Sequence, residues 1–107
     1  MEVNQYDIFW VNLDPTVGSE IRKVSPRVVI SPDEMNAHIK TVVVAPLTTA
    51  TRNYPTRIPV TIGRRKGWIV IDQIRTIDKI RLQNKIGSVA GQTSEKIKQV
   101  MKETFVD

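Results

Sequence analysis

Short runs of β-branched and aromatic residues recur along the first three quarters of the chain and constrain its fold more than any other feature. Gly, Pro, Asn or Asp residues separate these runs, a pattern typical of strands joined by tight turns. The sequence predicts strands over 7–13, 27–31, 41–47, 56–62 and 67–74, with a weaker one over 85–91. In the fourth run, apolar and polar residues alternate, so one face meets a core. Pro59 lies inside that run and predicts an edge strand, because proline cannot donate a ladder hydrogen bond.

The periodicity becomes helical after Gly91. Four apolar residues share one helical face there: Ile97, Val100, Met101 and Phe105. This spacing predicts a C-terminal amphipathic helix packed on the sheet, with Thr93 or Ser94 as its cap. A chain of 107 residues fits one domain, 1–107. The sequence therefore predicts a mainly β fold with a C-terminal helix, built as a small, strongly twisted antiparallel barrel.

The residue inventory excludes several kinds of chemistry. The chain has no cysteine and a single histidine, His38, so it can form neither a thiolate metal site nor a pair of acid/base histidines. Asp33 and Glu34 in "SPDEMN" are interpreted as turn and cap residues. No phosphate-binding glycine motif is present. We therefore expect no metal and no other cofactor.

No segment approaches the roughly 20 apolar residues that a membrane helix needs, and the N-terminus does not have the pattern of a signal peptide. We expect a soluble, unprocessed protein in the cytoplasm, with no membrane partner.

Positive charge is concentrated in the middle of the chain. Residues 40–85 contain ten Lys and Arg against two Asp, a balance of +8, whereas residues 1–39 carry a balance of −3. Such a region attracts a polyanion such as RNA or DNA, or an acidic protein. Charge alone fits an ordinary solvated surface equally well.

Several polar residues could act on a phosphodiester without a metal ion. Glu20 is an isolated carboxylate in a Gly-containing loop, Thr48 and Thr49 end an apolar strand, and Asp72 ends another. Cleavage of RNA by its own 2′-hydroxyl needs a base, donors for the developing charge on phosphorus, and an acid for the leaving oxygen. The alternatives are that the threonines only cap a turn and that Asp72 pairs with Arg75.

Three sequence blocks then point to a family. "DPTVGSE", followed by Pro26 and a β-branched strand, then "PLTT", then "DQIRTIDKIRL", together resemble the MazF/PemK family of toxin endoribonucleases (mRNA interferases) from bacterial toxin–antitoxin modules. The resemblance covers nearly the whole chain. It implies an SH3-like barrel of the CcdB/PemK type and a homodimer. It also implies metal-independent, sequence-selective cleavage of single-stranded RNA by 2′-hydroxyl attack, leaving a 2′,3′-cyclic phosphate and inhibiting translation and growth.

The resemblance also implies a partner. Members of the family pair with a cognate antitoxin whose flexible, acidic C-terminal segment lies across the RNA groove. The basic middle of this chain fits such a peptide, because acidic side chains compete for the same field that attracts phosphate.

Candidate catalytic residues follow from the same blocks. Glu20, preceded by Gly18 and Ser19, matches the glutamate of the family's G-S-E loop. Thr48 matches the threonine after the third strand that is regarded as catalytic in MazF-like members. Asp72 matches the acid of the D-Q-x-R-T-I-D block that serves the PemK-like branch.

One position departs from the family pattern. The family typically has Arg-Pro at the start of the second strand, and that arginine is its best supported catalytic residue, but this chain has Ser25 before Pro26. Losing such a cation costs on the order of 3 kcal/mol of transition-state stabilisation. Arg27 lies two residues along the strand, on the same face and about 7 Å away, and Arg22 precedes it in the loop. Compensation by Arg27 or Arg22 is favoured, and the alternative is a weakened toxin that still binds RNA.

The predicted RNA-binding residues surround this site: Ser19, Lys23, Arg52, Tyr54, Arg57 and Gln73. Tyr54 is predicted to stack on a base while Arg52 and Arg57 contact phosphates. The alternative is that the tyrosine anchors its own loop. A competing function is a CcdB-like toxin that poisons DNA gyrase by protein contact on the same fold.

Overall fold

The computed structural model describes residues 2–13, 24–49 and 54–106. The strands within these ranges are β1 Asp7–Asn12, β2 Val24–Val29, β3 Thr41–Thr48, β4 Arg57–Ile62, β5 Arg65–Val70, β6 Arg75–Asp78 and β7 Leu82–Ser88. The helices are α1 Asp33–His38 and α2 Gln92–Phe105. Two 3-10 turns, Ile71–Gln73 and Lys79–Arg81, precede β6 and β7.

The strands form one antiparallel sheet in the order β4-β5-β3-β2-β1-β7, and β6 also pairs with β3. β3 is the centre of this sheet, because its first half pairs with β6 and its last two residues pair with β5. The sheet curls into half a barrel. The predicted mainly β fold with a C-terminal helix is therefore confirmed. Pro59 lies in β4, at the end of the strand order, as an edge strand requires.

Both faces of the sheet are buried, which explains why the strands appear in the sequence as nearly continuous apolar runs. One face packs against Ile97 and Val100 of α2 and carries Ile8, Val28, Ala45, Ile58, Ile69 and Ile71. The opposite face is called the outer face below, because the residues packed on it include none from α2. It carries a second buried cluster: Phe9, Val11, Val29, Val42, Val44, Ile77 and Leu82.

Two elements were not predicted. Residues 33–38 form α1, which the sequence analysis interpreted as a turn; the Asn36 side chain is buried and donates to the Ser31 carbonyl oxygen at 2.9 Å, so a tertiary contact holds this short helix. The strand predicted over 67–74 ends at Val70. A 3-10 turn follows, and β6 then pairs with the first half of β3.

The C-terminal helix differs in detail from its prediction. It begins after Gly91, which has a φ of 61°, and neither Thr93 nor Ser94 caps it with a side chain. Ser94 instead donates its hydroxyl to the Gly91 carbonyl oxygen at 2.8 Å. Phe105 was expected on the packed face, but it is 53% exposed because the helix ends at this residue. None of the helices among the described residues is long and apolar enough to cross a membrane.

Candidate active site

The pairing of β2 with β3 places Arg27 and Thr48 on the outer face of the sheet. Val29 lies across from Val44, and Arg27 lies across from Pro46. Side chains two residues apart on a strand share a face, so Arg27 has the orientation of Val29, and Thr48 has that of Pro46 and Val44. Diagonal neighbours in an antiparallel pair are about 7–8 Å apart, within reach of a long side chain. Arg27 can therefore act at the position of Thr48.

Ser25 faces the same way, one row of side chains nearer the start of β2. Val11 lies across from Ser25, just as Phe9 lies across from Arg27. Continuing the β2–β3 register by two residues places Ser25 directly opposite Thr48. The cation on this strand is therefore displaced by one row from the position where the family resemblance puts an arginine.

Gly67 permits β5 to approach the other edge of β3 at this point. Thr48 pairs with Trp68, and a Cβ atom on Gly67 would lie 3.0 Å from the carbonyl oxygen of Thr48. A side chain at residue 67 would therefore require the Thr48 backbone to shift by a few tenths of an ångström. The glycine thus helps to fix the backbone that carries the candidate catalytic threonine.

Arg27 is a partly buried cation. Its Nε atom is buried and has no hydrogen-bond partner among the described residues. Burial lowers the pKa of Arg27 below its ordinary value, and the charge of Arg75 lowers it further. A partly desolvated guanidinium with one unsatisfied buried donor is costly to the free protein and well prepared to bind an anion.

Asp72 is held by a threonine from the neighbouring strand connection. The Thr56 hydroxyl donates to Asp72 Oδ1 at 2.7 Å, and the Ile71 amide donates to the Thr56 carbonyl oxygen at 3.0 Å. The alternative that Asp72 pairs with Arg75 is not observed among the described residues. Asp72 is exposed, as is Gln73 beside it, so this carboxylate can meet a ligand.

Arg57 and Tyr54 form a second cationic element on the outer face. Arg57 lies across from Val70, which shares its face with Trp68 and hence with Thr48. The Arg57 guanidinium lies 5.4 Å from the centroid of the Tyr54 ring, and the tyrosine is 50% exposed. Arg57 Nε, like that of Arg27, is buried without a hydrogen-bond partner among the described residues.

The remaining predicted site residues lie outside the described ranges. Ser19, Glu20, Arg22 and Lys23 belong to residues 14–23, and Arg52 belongs to residues 50–53. Their roles stay predictions. Within residues 2–13, 24–49 and 54–106, no three His, Asp or Glu side chains come together as a possible metal site.

Thr56 was not among the predicted site residues, and Arg75 was predicted only as part of the "DQIRTID" block and as a possible partner of Asp72. Nothing in the local pattern identifies Thr56, because its contact with Asp72 depends on how β4 meets the 3-10 turn. The sequence identifies Arg75 in part. Ile77 is the one apolar residue in "RTID" and lies two positions from the arginine, and residues two apart on a strand share a face, so Arg75 is expected on the same face as Ile77.

A groove also leads away from Thr48. Its volume is about 570 Å³, and it is lined by Trp10, Pro26, Leu47, Thr48, Thr49, Val60, Ile62, Arg65, Lys66, Gly67 and Ile86. Trp10 is 38% exposed. Trp10 lies across from Pro26 and alternates along β1 with Phe9 and Val11, so this groove opens on the face that α2 covers and not on the face of Arg27.

The chain matches one protein family and several known relatives. The model of the PemK-like, MazF-like toxin of type II toxin–antitoxin systems matches residues 4–105. Endoribonuclease EndoA of Bacillus subtilis (strain 168) is 34% identical over 107 residues, covering 94% of this chain and 92% of the relative. Endoribonuclease toxin MazF of Escherichia coli (strain K12) is 34% identical over 93 residues, covering 86% and 84%.

Solved structures confirm the predicted fold class. A mycobacterial endoribonuclease in complex with its cognate antitoxin has a TM-score of 0.80 at 24% identity, covering 94% of this chain and 92% of that chain. MazF in a MazE–MazF complex from Deinococcus radiodurans has a TM-score of 0.83 at 17% identity, covering 97% and 96%.

Proposed function

This chain belongs to the PemK-like, MazF-like toxins of type II toxin–antitoxin systems, and we propose that it cleaves single-stranded RNA as the toxin of such a system. Its relatives EndoA and MazF are endoribonucleases, so the alternative of a gyrase poison is not favoured. Cleavage of messenger RNA would inhibit translation and growth. The observation that carries the proposal is that Arg27, whose buried Nε has no hydrogen-bond partner among the described residues, lies on the same face as Thr48.

The proposed reaction uses the substrate's own 2′-hydroxyl as nucleophile. A base removes its proton, the 2′-oxygen bonds to phosphorus, and the bond from phosphorus to the 5′-oxygen breaks. The 5′-oxygen takes up a proton and leaves as a hydroxyl group, while the other fragment ends in a 2′,3′-cyclic phosphate. Negative charge grows on the non-bridging oxygens during this step, so fixed cations and hydroxyl donors accelerate it. The mechanism needs no metal ion.

Each candidate residue takes a role that its chemistry permits. Arg27 stabilises the charge on the phosphorane, and the Thr48 hydroxyl donates a hydrogen bond to the same group. A carboxylate, from Glu20 or Asp72, accepts the 2′-hydroxyl proton. Arg22 is the alternative cation for the same phosphate.

Substrate binding extends beyond the scissile bond. Tyr54 offers a half-exposed ring for base stacking, and Arg57 beside it offers charge to a phosphate. Gln73 and the predicted loop residues add further contacts: Ser19, Lys23 and Arg52.

The proposal includes partners and compartment. The basic residues 40–85 would bind the acidic, flexible C-terminal segment of a cognate antitoxin, and structural neighbours are themselves complexes with antitoxins. Residues 1–107 form one domain in this proposal, two copies form a homodimer, and the protein acts in the cytoplasm.

The test is incubation of the purified protein with long single-stranded RNA in the presence of EDTA. The proposal predicts discrete fragments, and Thr48→Val serves as the matched variant that should leave the RNA intact. A mobility shift without fragments would instead identify an RNA-binding toxin that has lost its chemistry with Ser25. Intact RNA without a shift would overturn the proposal.

A further inference from the structure

Arg75 approaches the candidate active site from the opposite edge of β3. It lies across from Val44, whose other neighbour is Val29 on β2. Arg27 belongs to the next row, across from Pro46. Both arginines therefore share the outer face and flank β3 on its two sides. From strand geometry their Cα atoms are about 12 Å apart, a span that two converging arginine side chains can close.

The electrostatics agree with this convergence. The charge of Arg75 contributes to the lowered pKa of Arg27, behind the larger effect of burial. Neither guanidinium forms an ion pair with any of the residues that the structure describes. Asp72, three residues before Arg75, is already bound to the Thr56 hydroxyl. Two like charges on one face, with no ion-pair partner among the described residues, repel, and an anion bound between them would relieve this repulsion.

We propose that Arg75 is a second catalytic cation, which together with Arg27 holds the non-bridging oxygens of the scissile phosphate. This inference rests on the proposed ribonuclease function. As the 2′-oxygen attacks and phosphorus becomes five-coordinate, the two non-bridging oxygens gain charge, and each meets one guanidinium. The positive charge that Ser25 lacks is thereby divided between β2 and β6.

The test compares single-turnover cleavage by Arg75→Gln, Arg75→Lys and the control Arg64→Gln. Arg64 is exposed in the turn between β4 and β5, outside the strands that carry Arg27, Thr48 and Arg75, so its variant removes the same charge from outside the candidate phosphate site. We expect Arg75→Gln to lower kcat by about 10²-fold, Arg75→Lys to recover part of that loss, and Arg64→Gln to stay near wild type. Unchanged kcat in Arg75→Gln, or a change confined to KM, would overturn the inference.

A double variant adds a second criterion. If both arginines serve one phosphorane, Arg27→Gln and Arg75→Gln combined should lose less activity than the product of the two single losses. Fully multiplicative losses would show that the two side chains act on different groups. Thermal melting of each variant provides the folding control. Arg75 is exposed, so its replacement should leave the melting midpoint unchanged.

A binding measurement distinguishes two failures: that Arg75 does not contact the phosphate, and that the protein is not a ribonuclease. The probe is a short mixed-sequence RNA with 2′-O-methyl groups throughout, which cannot be cleaved by 2′-attack, titrated at several salt concentrations. Losing one phosphate contact should reduce the magnitude of the slope of log K against log salt concentration by about 0.7 in Arg75→Gln. The slope should be unchanged in Arg64→Gln. If the wild type binds this RNA without cleaving natural RNA, the ribonuclease proposal fails while the phosphate contact is still measured. An unchanged slope in Arg75→Gln overturns the contact itself.

Discussion

Replacing Arg27 by methionine should make the protein more stable and less active at once. Methionine keeps most of the apolar stem of the arginine side chain but removes the guanidinium, whose buried Nε has no hydrogen-bond partner among the described residues. An unsatisfied buried donor costs about 1–3 kcal/mol, and the partial burial of Arg27 places the gain near the lower end. For a domain of this size, about 1 kcal/mol raises the Tm by about 4–8 °C.

The same substitution removes a cation from the reacting phosphate. Loss of one such donor lowers kcat by about 10²–10³-fold, or about 3–4 kcal/mol in the transition state. The two effects have opposite signs because the guanidinium is prepared for a substrate that the free protein lacks. A residue that served only the fold would lower stability and activity together.

The assay pairs a thermal melt with single-turnover cleavage of a single-stranded RNA under saturating protein. Arg64→Met is the control, because Arg64 is exposed and should change neither Tm nor kcat appreciably. A lower Tm in Arg27→Met would refute the view that this cation is unsatisfied in the free protein. Unchanged kcat would refute its role at the phosphate and shift attention to Arg22.

Three further predictions concern other contacts. Gly67→Ala should lower the free energy of unfolding by about 1–3 kcal/mol and reduce RNA cleavage, because the new Cβ meets the Thr48 carbonyl oxygen at 3.0 Å; a variant as stable and active as the wild type in urea melts and cleavage assays would contradict this. Thr56→Val should lower kcat by releasing Asp72, and in an Asp72→Asn background the same change should have no further effect; an additional loss there would show that Thr56 acts independently of the carboxylate. Burial raises the pKa of Tyr6 above its ordinary value of 10.0, so this tyrosine ionises at a lower pH in the unfolded chain, and the free energy of unfolding falls as the pH rises above about 10. The Tyr6→Phe variant should lose less stability than the wild type in urea melts over that range. An identical loss in both proteins would contradict the assignment.

The sheet was largely predictable from the sequence because each strand carries its own local signal. β-branched runs separated by turn residues indicate strands whichever partners they later find. α1 and β6 carry no such signal. The buried Asn36 side chain holds α1 through Ser31, and "RTID" has one buried residue, Ile77. Both elements depend on contacts with distant parts of the chain.

The candidate site was likewise predictable only where it depends on local sequence. Alternation along one strand is local, so the shared face of Ser25 and Arg27 followed from the sequence. The position of Arg75 depends on the register between β3 and β6, two segments whose pairing no local pattern fixes. Sequence reasoning could therefore name Arg27 as a candidate but could not bring Arg75 towards it.

The central claim is that the RNA's own 2′-hydroxyl attacks a phosphate held on the outer face of the sheet. The most direct test uses two matched oligonucleotides that span a mapped cleavage site, one all-ribose and one with a single 2′-deoxynucleotide at the nucleophilic position. The account predicts that the all-ribose strand yields a 2′,3′-cyclic phosphate and a 5′-hydroxyl by mass spectrometry in EDTA, and that the deoxy strand stays intact. Cleavage of the deoxy strand, or a product with a 5′-phosphate, would contradict it.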